Sequence, residues 1–377
     1  MDKFVFPIAL ASRSIRILFS AVLIPVWLAA CSSPGPSPTP VTLSALPTSI
    51  PTATASPSST ATPTLIPTST PPPTVTPVPH SNLEIPVMRD REYPGSDIVI
   101  EQTLAPGPSY ARYIASYKSD GYKIFALLTI PNGPKPKSGW PVVVFNHGYI
   151  PPSQYRTTER YLAYTDTFSR NGYIVIKSDY RGHGNSEGPA AGGYGSPDYS
   201  VDVLNAISSL KRFPDVDPAR MVMWGHSMGG QVTLRAMVIS KDIKAGVIWA
   251  GVVAPYSDIA TRWFRGTLSV SPTPTFFRGG WRNSLVRLFG APDENPDFWN
   301  LISPNSYLKE ISGPLQLHHD TQDHEVPYAM SELLYQEMKD AGQYVELFSY
   351  PGDDHNIAAE FDTAITRSLQ FFNKYVK

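Results

Sequence analysis

Cysteine is nearly absent: the 377 residues contain one, Cys31. No disulfide can form within the chain, and past that position there is neither a thiol nucleophile nor a thiolate metal ligand. The chain also has no excess charge of either sign. Its 31 Lys and Arg against 32 Asp and Glu leave a formal net charge of −1, which gives no electrostatic reason to expect nucleic acid or an anionic membrane surface as a partner. There is no Walker loop and no internal repeat. The stretch Gly192-Gly193-Tyr194-Gly195 is a loop that no strand feeds, so it is not a dinucleotide fingerprint. No cofactor is implied.

Residues 17–83 contain no Asp, Glu, Lys or Arg, and from Ser32 to Pro79 the chain is almost wholly Pro, Ser, Thr and Ala. Such a stretch cannot bury enough apolar surface to offset the entropy of ordering it. It reads as an extended linker, polyproline-like and open to O-glycosylation. Ahead of it, Lys3, Arg13 and Arg16 form a basic start, and Ile17 to Trp27 form an apolar run broken by Pro25. That run is too short to span a membrane comfortably and suits a targeting segment. The expected organisation is a signal segment over 1–30, a linker over 31–82 and one catalytic domain over 83–377, a size usual for an α/β enzyme. Leu28-Ala29-Ala30-Cys31 resembles the lipobox of bacterial lipoproteins. That resemblance implies cleavage before Cys31, lipidation of its thiol, and an extracytoplasmic domain held by its lipid at the cell membrane or outer membrane. Ser32 stands where an aspartate would signal inner-membrane retention.

In the remaining domain, Arg112 to Tyr117 and Tyr122 to Ile130 flank Asp120-Gly121, the pattern of a β-hairpin. A continuous apolar, β-branched run at 140–145 suits a strand buried on both faces; further buried strands are expected at 173–177, 221–224, 246–253 and 314–318, and another strand at 344–350. Helical patterns fall at 161–170, 199–211, 231–239, 328–341 and 357–375. The alternation predicts an α/β fold with a mostly parallel sheet and helices on both faces. It breaks down between 256 and 312, a stretch rich in Trp and Phe, which reads as a cap inserted over the C-terminal ends of the strands. Its Arg262, Arg265, Arg278, Arg282 and Arg287 read as a solvated face partly paired with Asp258, Asp293, Glu294 and Asp297. A clamp for a carboxylate-bearing substrate is the other reading.

The most informative run is Trp224-Gly225-His226-Ser227-Met228-Gly229-Gly230. It fits G-x-S-x-G between a strand and a helix, the context in which a serine is held strained with its hydroxyl exposed. Side chains at Gly225 or Gly229 would collide where strand and helix pack together. The Met228 N–H would then aim at developing negative charge from a helix N-terminus. Serine acyl transfer also needs a base and an acid to orient it, in the chain order Ser, Asp or Glu, His. His355, between the last strand and the last helix, is the base this order selects. Asp320, Asp323 and Glu325 all lie where the acid belongs. His318, His319 and His324 stand among them, but residues alternating at a strand end point to opposite sides, so no metal site is expected.

The run from His319 to Pro327 resembles the H-G-x-x-D-x-x-V-P segment of the prolyl oligopeptidase family, with Asp320 in place of glycine. Asp217-Pro218-Ala219-Arg220, the helix after Ser331, and Tyr350-Pro351-Gly352 extend the resemblance over residues 110–377. It implies an α/β-hydrolase fold and makes Asp323 the acid, with Asp320 the fallback. Asn146-His147-Gly148-Tyr149 resembles the turn that supplies the first oxyanion donor. This assigns the Tyr149 N–H as partner to that of Met228; a hydroxyl of Tyr149 or Tyr155 is the family's other device. His147 is expected to brace the turn. The loop from Asp179 to Gly188 reads as scaffold, with an Asp179–Arg181 ion pair. The expected activity is hydrolysis of a small peptide or ester through an acyl-enzyme. About thirty residues separate linker from hairpin, too few for the family's propeller, which favours a carboxylesterase as the alternative. An inactive binding module is the reading from another class. Nothing in the sequence fixes the oligomeric state.

Overall fold

A computed structural model describes residues 81–264, 267–268 and 280–377. The signal segment, Cys31, nearly all of the linker, and Arg265 and Arg278 of the insertion lie outside the described residues. Strands β1 (Val99–Thr103), β2 (Tyr110–Ser119), β3 (Tyr122–Pro131), β4 (Trp140–Asn146), β5 (Ile174–Ser178), β6 (Val216–His226), β7 (Ile243–Trp249), β8 (Trp263–Phe264), β9 (Thr267–Leu268), β10 (Leu315–His319) and β11 (Val345–Ser349) are joined by helices. These are α1 (Ile85–Asp90), α2 (Leu162–Arg170), α3 (Asp198–Leu210), α4 (Met228–Ile239), α5 (Tyr256–Thr261), α6 (Trp281–Phe289), α7 (Pro296–Ile302), α8 (Ala329–Asp340) and α9 (Phe361–Val376). Among the described residues no helix is long and apolar enough to cross a membrane.

The main sheet has the order β1-β2-β3-β5-β4-β6-β7-β10-β11. It is antiparallel from β1 to β5 and parallel from β5 to β11. The apolar runs are continuous because alternate residues enter two cores. Val142, Val144, Ile176, Met221 and Met223 face one core with side chains of α3, α4 and α8. Val143, Phe145, Val175, Val222, Trp224 and Trp249 face the other with Phe168 of α2 and Phe371 and Phe372 of α9. The chain crosses from β4 to β5 on one side and to β6 on the other, so strand order reverses at β4. Ligands bind outside the carboxyl ends of strands at such a reversal. The turn after β4 and the elbow after β6 lie side by side there, with Asn146 opposite Gly225.

Several expected boundaries shift. Strand β7 ends at Trp249 instead of running to Val253, because Ala250 turns the chain at φ 45° and Val252 donates its N–H to the Ser227 carbonyl at 3.1 Å. Helix α9 starts at Phe361, because the Asp353 carboxylate takes the N–H groups of Ala359 and Glu360. Strand β1 is exposed along its whole length and carries no apolar alternation to announce it. The insertion holds α5, the β8–β9 pair, α6, α7 and a 3-10 turn over Pro304–Glu310. Its core of Tyr256, Leu285, Phe298, Trp299 and Ile302 closes on Leu83.

The expected Asp179–Arg181 pair is not formed. Tyr180 between them adopts φ 61°, which turns the two side chains apart. Arg181 reaches α3 and binds buried Asp202 at 2.7 Å, with Asp120 at 3.1 Å and Asp198 at 3.4 Å. Asp179 instead accepts the hydroxyls of Tyr155, at 2.9 Å, and Thr157. Burial pushes the Asp179 carboxyl up to about 6, and its two hydroxyl donors and Lys177 only partly oppose this. Between about pH 4 and pH 6 the folded chain therefore keeps a proton that the unfolded chain has lost. This contribution to stability is full below about pH 4 and is lost as pH rises through about 6; its size is about 3 kcal/mol. Asp179→Asn is expected to flatten that part of the pH dependence, read as the urea midpoint at steps from pH 4 to 7. An unaltered slope would contradict this account.

Candidate active site

Ser227 lies between β6 and α4 at φ 55°, ψ −121°, a region costing roughly 1–3 kcal/mol for a residue with a side chain. The surroundings hold it there. Its N–H donates to the Trp249 carbonyl at 3.0 Å, and its carbonyl accepts from Gly230 at 2.9 Å. A Cβ on Gly229 would lie 2.0 Å from the Asn146 oxygen, and one on Gly225 2.3 Å from the Gly229 oxygen. The strand-to-helix turn is thus closed to side chains on both flanks, and α4 begins at the residue after the serine.

The structure brings Asp323 and His355 together from the loops after β10 and β11. His355 Nδ1 lies 2.6 Å from Asp323 Oδ2. Nδ1 is then the protonated nitrogen donating to the carboxylate, and Nε2 is left with its lone pair for a substrate-side proton. The His355 ring packs on His226, the residue before Ser227, at 4.6 Å between centroids. Burial alone would raise the Asp323 carboxyl. Hydrogen bonds from His319 and His355 and from the Val326 N–H outweigh that and hold its pKa well below the usual carboxylate range. The anionic form is therefore the stable one beside the imidazole. Its second oxygen accepts the N–H groups of Glu325 at 2.7 Å and Val326 at 3.0 Å.

Asp320, the fallback acid, does not reach His355. Its oxygens accept the N–H groups of Gln322 at 3.1 Å and Asp353 at 3.2 Å, so it ties the acid loop to the base loop. Glu325 places an oxygen 3.9 Å from His355 Nε2, on a side chain 72% exposed. His318 turns away to Tyr350 and Gln316, whereas His319 turns to Asp323, Val326 and Ser331. Among the described residues no three His, Cys, Asp or Glu side chains are grouped to hold a metal ion.

On the other side of the serine, the turn after β4 runs close by. A Cβ on Gly148 would lie 3.2 Å from the Ser227 Cβ. The N–H groups of Met228 and Tyr149 have no acceptor among the described residues. The Tyr149 side chain is 67% exposed. The Tyr155 hydroxyl is excluded as an oxyanion donor, because it is buried and donates to Asp179. His147 is buried between the rings of Tyr155 and Tyr180, with Nδ1 2.7 Å from the Gly148 carbonyl. Burial lowers its pKa to about 3, so it braces the turn as a neutral ring.

The insertion reaches this mouth. Trp263 points its indole N–H at the Glu325 carbonyl, 3.4 Å away, and Tyr194 packs on Trp263 and Trp281. Arg262 pairs with Asp258 at 3.1 Å. Arg282 donates to the Ile259 carbonyl at 3.0 Å and lies over the Trp281 ring.

Residues 140–275 match the family model for serine aminopeptidases, S33, and residues 286–374 match that of the dienelactone hydrolase family. The uncharacterized peptidase YtmA of Bacillus subtilis is 25% identical over 280 residues, which are 72% of this chain and 97% of YtmA. Other relatives named as peptidases are matched over only 34% and 24% of their own length. The chain therefore spans a third or less of those proteins. Among solved structures, the acylaminoacyl peptidase of Pyrococcus horikoshii, of the prolyl oligopeptidase family, aligns with a TM-score of 0.56 at 23% identity. The alignment covers 72% of this chain and 42% of that one. The acetyl xylan esterase of Paenibacillus sp. R4 aligns with a TM-score of 0.57 at 17% identity, over 77% of this chain and 92% of that one. The fold is that of the α/β-hydrolases, and the chain is a serine hydrolase.

Proposed function

We propose that this serine hydrolase cleaves a peptide or ester bond through an acyl-enzyme formed on Ser227. The observation that carries this reading is the 2.6 Å bond from His355 Nδ1 to Asp323, which fixes the tautomer a general base needs. His355 Nε2 takes the hydroxyl proton as the Ser227 oxygen attacks the acyl carbon. The N–H groups of Met228 and Tyr149 bind the resulting oxyanion, each worth several kcal/mol of barrier at a preorganised site, roughly 3 apiece. Collapse expels the leaving group with the proton carried by His355. Water, deprotonated by the same nitrogen, then releases the acid and restores the serine.

A second reading, a carboxylesterase without peptidase activity, is favoured by the coverage of the structural matches. The esterase is matched over 92% of its length and the acylaminoacyl peptidase over 42%. A matched ester and amide with one acyl group, assayed with the full chain and with Ser227→Ala, separates the two. Ser227-dependent amide cleavage within about a thousandfold of the ester rate is the expected result for a peptidase. Ester cleavage alone would leave the carboxylesterase.

The cellular placement belongs to the same proposal. The basic start, the apolar run and Cys31 after Leu28-Ala29-Ala30 support an extracytoplasmic domain tethered by lipid at Cys31.

A further inference from the structure

Two consecutive residues with side chains, Arg160 and Tyr161, hold left-handed backbone at φ 57° and 55°. For bulky residues this is an outlier that something else in the fold must enforce. The enforcing group is Lys177. Its buried Nζ donates to the Glu159 carbonyl at 2.8 Å and the Arg160 carbonyl at 3.3 Å. A cation has thus been taken out of water to hold two carbonyls of one loop. The product of that arrangement is the position of one hydroxyl.

The Tyr161 hydroxyl lies 3.0 Å from the Gly148 nitrogen and 2.8 Å from His226 Nδ1. His226 Nε2 lies 3.0 Å from the His355 carbonyl. The direction of each bond is fixed by chemistry. The Gly148 N–H can only donate, so the hydroxyl oxygen accepts there and gives its own proton to Nδ1. Nδ1 must then be the unprotonated nitrogen, and Nε2–H donates to the carbonyl. Burial lowers the His226 pKa to about 3, which agrees with a neutral ring. The Tyr161 ring is held against Phe145 at 5.5 Å and Trp224 at 6.2 Å between centroids.

We propose that Tyr161 and His226 are positioning residues that lock the oxyanion turn and the base loop to the nucleophile elbow. The inference rests on the acyl-enzyme reading above. Fixing the Gly148 N–H sets the His147–Gly148 peptide, and His147 Nδ1 holds the Gly148 carbonyl of the next peptide, whose Tyr149 N–H is left for the oxyanion. Fixing the His355 carbonyl holds the backbone of the base, while Asp323 holds its ring. Residues following three separate strands, β4, β6 and β11, are thereby set in one frame before substrate arrives. This is the geometric condition for strong oxyanion stabilisation.

Tyr161→Phe in the full chain tests this, since it removes one oxygen and keeps the ring. The expected result is a kcat lower by about 10–100-fold with KM within twofold, and a thermal midpoint lowered by several degrees because the Gly148 N–H and His226 Nδ1 lose their partner. Binding of a boronic acid that mimics the tetrahedral intermediate should weaken by the same factor as kcat/KM. Binding of the product carboxylate should not change. His226→Gln keeps a donor for the His355 carbonyl, and His226→Asn keeps an acceptor for Tyr161; each should show a partial loss. Tyr161→Phe combined with His226→Gln should be no worse than the poorer single variant. Full kcat in Tyr161→Phe, or equal weakening of boronate and product, would overturn the inference. Wild-type turnover that survives Ser227→Ala would instead overturn the acyl-enzyme reading itself, so the two failures are distinguishable.

Discussion

Ser227→Ala is expected to abolish ester turnover, with kcat/KM falling by about 10⁶-fold, while leaving the fold intact. The hydroxyl makes no hydrogen bond with another described residue, so its removal leaves no orphaned partner. Alanine meets the same backbone constraint at φ 55° that serine already meets, held by the Trp249 carbonyl on one side and the Gly230 N–H on the other. Circular dichroism and the thermal midpoint should therefore match the parent. Residual acceleration over water of roughly 10³–10⁴ from the oxyanion donors and binding alone is compatible with this outcome. A variant retaining a tenth of parental activity would mean that another group attacks the acyl carbon.

Asp323→Asn should lower kcat by about 10⁴-fold with KM little changed. An amide can present its NH2 to His355 Nδ1, which forces the proton onto Nε2 and removes the lone pair that must accept the serine proton. The loss should be partly relieved at high pH if hydroxide replaces the missing base. Asp320→Asn is the paired control. Its carboxylate serves two backbone N–H groups and not the imidazole, so kcat should stay within about tenfold and the effect should appear in stability. A reversed ranking of the two variants, read from kcat by stopped assay, would move the acid from Asp323 to Asp320.

Much of this arrangement is legible in the sequence, because it depends on patterns local to a few residues. The runs from Trp140 to Phe145 in β4 and from Met221 to Trp224 in β6 are apolar at every position since both faces of the sheet are covered. The Gly225 to Gly229 spacing follows from contacts of 2.0–2.3 Å that no Cβ could survive. Chain order selects His355, and the resemblance around His319 to Pro327 selects Asp323. What escaped depends on backbone geometry that residue types do not announce. The positive φ of Tyr180 sends Arg181 to Asp202 and leaves Asp179 to Tyr155. The left-handed pair Arg160 and Tyr161 contains neither glycine nor asparagine, the residues that would signal it. His226 stood in a variable position of the elbow pattern, and only the fold shows that its two nitrogens face Tyr161 and His355. His319 stood in the acid run as one of several histidines, and its hold on Asp323 is visible only once the loop closes.

The most direct test of the central claim is covalent labelling with a fluorophosphonate, followed by peptide mass mapping of the full chain. The account predicts one adduct, on the Ser227 peptide, absent from Ser227→Ala and formed far more slowly in Asp323→Asn. An active enzyme that carries its adduct elsewhere, or hydrolyses esters while Ser227 stays unlabelled, would contradict it.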